Sequence, residues 1–223
     1  MNFELFNNIF AFLFYFHLIL PTFNLELSLL KQGYKYIAGV DEAGRGAWAG
    51  PIVGAAVILP VDFNLRGWPV RDSKTLSAKK RQELFKIITQ KALSWQTCAV
   101  SNNEIDRFGL SWANAKVLIE SAEHLSIKPD YLLIDAAPLK IKTAITYRPV
   151  TRGDRDVASI AAASIVAKFT RDKLMIKLAQ EFSDYGFDRH KGYGTKLHQL
   201  QLKKFGICRI HRKSYKPIKK LLC

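Results

Sequence analysis

Two adjacent carboxylates, Asp41 and Glu42, stand in Gly39-Val-Asp-Glu-Ala-Gly-Arg-Gly46, where an apolar run gives way to a glycine-rich turn. Carboxylates at the end of a buried strand reach solvent from a rigid base, the position in which α/β proteins build their sites. Asp135 repeats the pattern at the end of Tyr131-Leu-Leu-Ile134, and Asp154, in Arg152-Gly-Asp-Arg155, stands just before an alanine-rich helical stretch. Each acid alone has a plainer explanation: solvated acids capping a strand for the first pair, a first-turn acid meeting a helix dipole for Asp154. Together, on separate segments of one basic chain, they point further. Oxygen donors without a Cys or His cluster suit Mg²⁺ or Mn²⁺, and a pair of such ions is a standard device for phosphodiester hydrolysis. Successive strand residues face opposite sides of a sheet, so Asp41 and Glu42 are predicted to share a metal site only if the chain bends there. Gly44 and Gly46 supply that freedom.

The charge balance names the kind of partner. With 34 Lys and Arg against 19 Asp and Glu, the formal charge is +15, which favours a polyanion through counterion release. Nucleic acid comes first and an anionic membrane surface second, with a merely soluble basic surface as the plain alternative. Ten of the basic residues fall between Lys191 and Lys220, among them Lys203, Arg212, Lys216 and Lys220, and are predicted to form a phosphate-tracking surface. Lys74 is expected to do the same near the acids. Cys98, Cys208 and Cys223 are far apart and outside any CxxC spacing, so neither a disulfide framework nor a zinc site is indicated, and a cytoplasmic location fits.

The elements that must hold these residues read as one α/β domain. Tyr36 to Val40 and Ile52 to Leu59 are apolar β-type runs, predicted to be neighbouring buried strands, and Trp95 to Val100 is a third. Ser77 is a plausible N-cap for a helix with Leu84, Ile87, Ile88 and Ala92 inward and Lys79, Lys80, Arg81 and Lys86 outward. Ser111 to Ser126 reads as a second amphipathic helix. Asp156 to Gln180 reads as a core helix, carrying Ile160, Ala161, Ser164, Ile165 and Phe169 on one face. Alternating strands and helices argue a mixed sheet, followed by a helical C-terminal third. At the other end, Ile9 to Leu20 is an apolar run too short to span a bilayer comfortably. Met1 to Asn8 has no Lys or Arg and no A-x-A site follows, so export is not expected and no membrane partner is assigned. Residues 1–21 are read as an apolar extension of unassigned role and residues 22–223 as the catalytic domain.

Gly39 to Gly46 with Ala49-Gly-Pro51 closely resembles the opening motif of ribonuclease HII. Later segments agree in order: Asp72-Ser-Lys-Thr-Leu76, Leu133-Ile-Asp135, Ser159 to Lys168 with Thr170-Arg-Asp172, His190-Lys-Gly-Tyr-Gly-Thr195 and His211-Arg-Lys-Ser-Tyr215. The resemblance covers about Gly33 to Ile218. It implies a ribonuclease H-like α/β fold, a mixed sheet flanked by helices with a helical C-terminal extension. It implies an endonuclease, expected to be a monomer, that cuts RNA in RNA–DNA hybrids and ribonucleotides embedded in duplex DNA. Asp41, Glu42, Asp135 and Asp154 would be its catalytic, metal-site acids, serving two Mn²⁺ or Mg²⁺ ions and leaving 5′-phosphate and 3′-hydroxyl ends. Gly44, Arg45 and Gly46 would meet the ribose 2′-OH and nearby phosphates, and Tyr193 would contact substrate. The chain departs from the family at Ala47-Trp48, where Pro-Leu is usual, at Arg152, where Lys is common, and at Tyr215, where Phe is frequent. Ribonuclease HIII is the nearest alternative, but residues 1–33 are too few for its separate N-terminal domain. A silent nucleic-acid-binding module would not explain four retained acids, nor a small-molecule phosphatase the charge.

Overall fold

The apolar run before Asp41 forms the central strand of the molecule. A computed structural model describes residues 21–63, 76–135 and 141–222. In it β1 (Ile37–Ala43) pairs antiparallel with β2 (Ile52–Ile58), which pairs antiparallel with β3 (Ser94–Val100). On its other edge β1 runs parallel to β4 (Tyr131–Asp135), and β4 runs parallel to β5 (Thr146–Val150). The order is therefore β3-β2-β1-β4-β5, a mixed sheet as predicted. Thr146 to Val150 had offered little signal as a strand: this edge strand has no fully buried residue and includes Pro149, so no apolar period marks it.

Helices cover both faces. Ala38 and Val40 of β1 and Ile52, Ala56 and Ile58 of β2 pack against α3 (Asn102–Phe108) and α4 (Leu110–Glu123), where Ile105, Val117 and Leu118 are fully buried. The alternate residues Ala43, Ala55 and Val57 pack against α2 (Ala78–Lys91) and the long helix α6 (Ala158–Glu181). Ser77 caps α2 as predicted, its hydroxyl accepting from the Lys80 N–H at 3.2 Å. Two expectations for α2 fail. Ile87 faces solvent, and Arg81, placed on the outer face by its charge, is buried in an ion pair with Asp172 at 3.2 Å. The α6 helix is likewise not one-sided: every residue from Ala158 to Ala167 is buried. Small side chains let it lie directly on β1, where a Cβ added to Gly39 would come within 2.0 Å of the Ser159 backbone.

Ahead of the sheet, α1 (Asn24–Lys31) lies near the start of α6, with Glu26 buried and accepting from the Ser159 N–H at 2.9 Å. A single turn, α5 (Gly153–Asp156), precedes α6. After α6 come a 3₁₀ turn (Ser183–Tyr185), α7 (Phe187–His190), α8 (Lys196–Phe205) and α9 (Lys216–Lys219), the expected helical C-terminal layer. That layer is tied to the sheet layer through α3: Asp106 accepts from the Lys213 and Ser214 N–H groups, both at 2.9 Å, and Asn102 donates to the Arg209 carbonyl at 3.0 Å. Among the described residues no helix is long and apolar enough to cross a membrane.

Candidate active site

Asp41, Glu42 and Asp135 line one cleft of about 490 Å³ at the C-terminal ends of β1 and β4. The predicted bend between Asp41 and Glu42 is absent. The ladder to β2 continues in register through Asp41↔Ala55, Glu42↔Gly54 and Ala43↔Val53, and the chain turns only at Gly44, with φ +95°. Both acids reach the same cleft for a different reason. Pairing between β1 and β4 stops at Val40↔Ile134, so the edge of β1 beyond Val40 is open beside Asp135.

Asp41 is the most confined of the three, with 6% of its surface exposed. Its carboxylate accepts from the Glu42 N–H at 2.7 Å and is hydrogen-bonded to the Ser164 hydroxyl on α6. Burial pushes its pKa well above the usual carboxylate range, and the negative charges of Glu42 and Asp135 push it further. The Asp135 carboxylate accepts from the Gly153 N–H at 2.9 Å, which fixes the turn carrying Asp154 next to it. Asp154, half-buried in that turn, adjoins the cleft and is not among its lining residues. The donor set fits a hard divalent cation, because anionic oxygens crowd a buried carboxylate that their charges destabilise. As they lie, no three His, Cys, Asp or Glu side chains among the described residues stand close enough to hold a metal ion.

Gly44, Arg45 and Gly46 form the cleft's rim, and two buried arginines hold them. Gly44 lies against Arg171, where a Cβ would come within 1.9 Å of Nε. Arg171 is fully buried, donating from Nε to the Pro51 carbonyl at 2.9 Å and from Nη2 to the Ala49 carbonyl at 3.3 Å. Burial draws its pKa down to about 10. Arg212 donates from Nε to the Gly50 carbonyl at 3.0 Å and from Nη1 to the Arg45 carbonyl at 3.1 Å. The Tyr215 hydroxyl donates to that same Arg45 carbonyl at 2.6 Å. Arg212 had been assigned to a solvent-facing phosphate surface; it is fully buried and faces main-chain carbonyls instead.

Tyr193 also lines the cleft, half-buried, with Lys168 Nζ 5.6 Å and the Arg171 guanidinium 5.3 Å from its ring centre. Its segment hangs on three histidines. His198 Nδ1 lies 3.0 Å from the Tyr193 carbonyl, which can only accept, so that nitrogen carries the proton. His198 Nε2 is then an acceptor for His211 Nε2 at 3.0 Å, and His211 Nδ1 accepts from the Cys208 N–H at 2.9 Å. The His190 ring stacks on that of His198 at 4.4 Å, and its Nδ1 accepts from the Gly192 N–H at 3.1 Å. Every ring is thus neutral, and burial pulls the pKa of both His198 and His211 down to about 4.

The fold therefore brings Asp41, Glu42, Gly44, Arg45, Gly46, Asp135 and Tyr193 around one cleft. Lys74 lies outside the described residues. The sequence reading missed Ser164 and Lys168, both of which line the cleft, and the supports Arg171, His198 and His211. Arg171 and Ser164 stand inside segments that carry the family resemblance, but nothing in their spacing distinguishes a buried arginine from a solvated one.

An acidic cleft at the ends of the two central parallel strands of a mixed sheet, under a long helix, defines a ribonuclease H-type hydrolase. The sequence pattern of the family described as Ribonuclease HII matches residues 38–218. A ribonuclease HII from Geobacillus sp. (strain WCH70) is 46% identical over 197 residues, 88% of this chain and 70% of that one. One from Acholeplasma laidlawii is 46% identical over 197 residues, 88% of this chain and 95% of its own. Among solved structures, the ribonuclease H2 of Pyrococcus horikoshii OT3 superposes with a TM-score of 0.72 at 27% identity, covering 84% of this chain and 97% of that one. The chain belongs to the ribonuclease HII family and is a ribonuclease H endonuclease.

Proposed function

We propose that this cleft hydrolyses the RNA strand of RNA–DNA hybrids and cuts at ribonucleotides embedded in duplex DNA. Asp41, Glu42, Asp135 and Asp154 are the catalytic acids and would hold divalent Mg²⁺ or Mn²⁺. Two such ions would supply the positive charge that activates water and offsets charge on the leaving 3′ oxygen, a chemistry that gives 5′-phosphate and 3′-hydroxyl ends. The chain's own part is positioning. Ser164 and the Glu42 N–H orient Asp41, and the Gly153 N–H orients Asp135. The Gly44-Arg45-Gly46 backbone, fixed by Arg171, Arg212 and Tyr215, can approach a ribose closely enough to exchange hydrogen bonds with its 2′-OH, the group that separates RNA from DNA. Tyr193 packs on the neighbouring sugar, and Lys168 and Lys74 meet phosphate.

The observation that carries this reading is the convergence of acids, glycine-rich loop and tyrosine on one cleft. The enzyme is read as a monomer of the cytoplasm, where Cys98 and Cys208 stay as free thiols. Residues 22–223 form the catalytic domain in this reading, and residues 1–21 stay outside it. The test uses three duplexes: an RNA–DNA hybrid, DNA with one embedded ribonucleotide, and all DNA, each with Mg²⁺, Mn²⁺ or EDTA. The first two should be cut only with a divalent cation and the third never. Cutting in EDTA, or cutting of all-DNA duplex, would contradict the reading.

A further inference from the structure

Trp48, one of the departures from the family pattern, does not line the catalytic cleft. Its indole backs onto Gly194, where a Cβ would come within 2.1 Å of the ring, and lies 5.7 Å from the His198 ring. The rest of this half-buried ring helps to line a separate cavity of about 390 Å³. Leu202 and Pro217 add apolar surface there, and Lys203, Lys216 and Lys220 reach it from α8 and α9. Among the described residues none of the three lysines has a carboxylate within ion-pair distance, and no carboxylate lines the cavity.

An aromatic platform ringed by ammonium groups matches one chemistry well: a planar base that stacks, flanked by phosphates that the cations meet. An apolar peptide would leave three lysines desolvated against nothing. The interior of an intact duplex keeps its bases stacked on each other and offers the indole no free face. One step of chain separates the cavity's tryptophan contact from the catalytic cleft, since Gly194 touches Trp48 and the adjoining Tyr193 lines the cleft. We propose that this cavity binds an unpaired nucleobase with its neighbouring phosphates, so that the enzyme engages a single-stranded extension of its substrate beside the paired region in the cleft. The proposal rests on the functional reading above only in taking the substrate to be nucleic acid.

The test is binding in EDTA, where no cleavage is expected. DNA duplexes with one embedded ribonucleotide are compared as blunt molecules and with short 5′ or 3′ unpaired extensions, the first unpaired base being 2-aminopurine. One extension should tighten binding about tenfold, the effect of one base stacked on an aromatic ring, and its 2-aminopurine emission should be quenched. Trp48→Leu should bring the ratio of extended to blunt affinity to about one and restore the emission. Lys216→Gln with Lys220→Gln should lower the same ratio and flatten its salt dependence, a second route should the tryptophan variant fold poorly. A bound blunt duplex with no gain from either extension would overturn the proposal, as would a gain that survives both variants. Poly-glutamate displacing the extension as well as oligodeoxythymidylate does would also overturn it, by marking a general anion site. Failure of the wild-type chain to bind even the blunt duplex would instead sink the functional reading, and this proposal with it.

Discussion

The two sides of the cleft are built on opposite principles. The floor, at the ends of β1 and β4, gathers like charges: Asp41 is buried beside Glu42 and Asp135 and is destabilised by both. The rim, Gly44 to Gly46 and the Tyr193 segment, is held by buried cations and neutral imidazoles that donate to main-chain carbonyls. A floor of this kind stores unfavourable energy that a cation can release, whereas such a rim is stable only while its hydrogen bonds are complete. Mutations should therefore act in opposite directions on the two: stabilising the floor while removing activity, destabilising the rim along with it.

Arg212 offers the largest break in the rim. Arg212→Met leaves the Gly50 and Arg45 carbonyls without this donor, and should cost about 3 kcal/mol in urea unfolding together with much of the cleavage rate. Arg212→Lys should recover part of this, because one ammonium cannot reproduce the guanidinium fork. An unchanged unfolding midpoint in the methionine variant would mean that the rim does not depend on that arginine.

Next comes Tyr193, where packing and hydroxyl can be separated. Tyr193→Ala should slow cutting of an embedded ribonucleotide by roughly 10- to 100-fold through lost positioning, and Tyr193→Phe much less. Equal rates for wild type and Tyr193→Ala would make the tyrosine a structural residue.

The smallest expected effect is on pH dependence. His198 and His211 are neutral in the fold, with pKa values near 4 against 6.5 for a free imidazole. Above pH 6.5 folded and unfolded rings are both neutral and contribute no slope. Below it the unfolded rings gain protons that the folded ones refuse, so stability falls as the pH drops from 6.5 towards 4. Carboxylates titrate in the same window, so the share of His198 is the difference in slope between wild type and His198→Gln. Identical slopes would show that this ring does not carry it.

The same contrast explains what could be read in the sequence. The floor follows from continuous apolar runs and the residues that end them: β1, β2 and β4 lie where those runs placed them, with Asp41, Glu42 and Asp135 toward the C-terminal ends of β1 and β4. The rim does not follow. Arg81 and Arg212 read as surface charge, and Arg171 as no more than part of a motif, because a single sequence gives no sign of the carbonyl or carboxylate each will meet across the fold. The absent bend at Asp41 is a lesson of the same kind, since the open edge that lets both acids reach the cleft depends on where β4, distant in the chain, stops pairing. Edge strand β5 escaped because exposure removes the apolar period on which recognition depends.

The central claim is that the floor trades stability for chemistry, and Asp41→Asn tests it in one paired measurement. Asparagine can still accept from the Glu42 N–H while shedding the charge that burial and its neighbours oppose. Urea unfolding in EDTA at pH 7 should show the variant more stable than wild type by about 1 kcal/mol, while cleavage of an embedded ribonucleotide in Mg²⁺ falls below detection. A variant that is less stable, or one that cuts at the wild-type rate, would contradict the account.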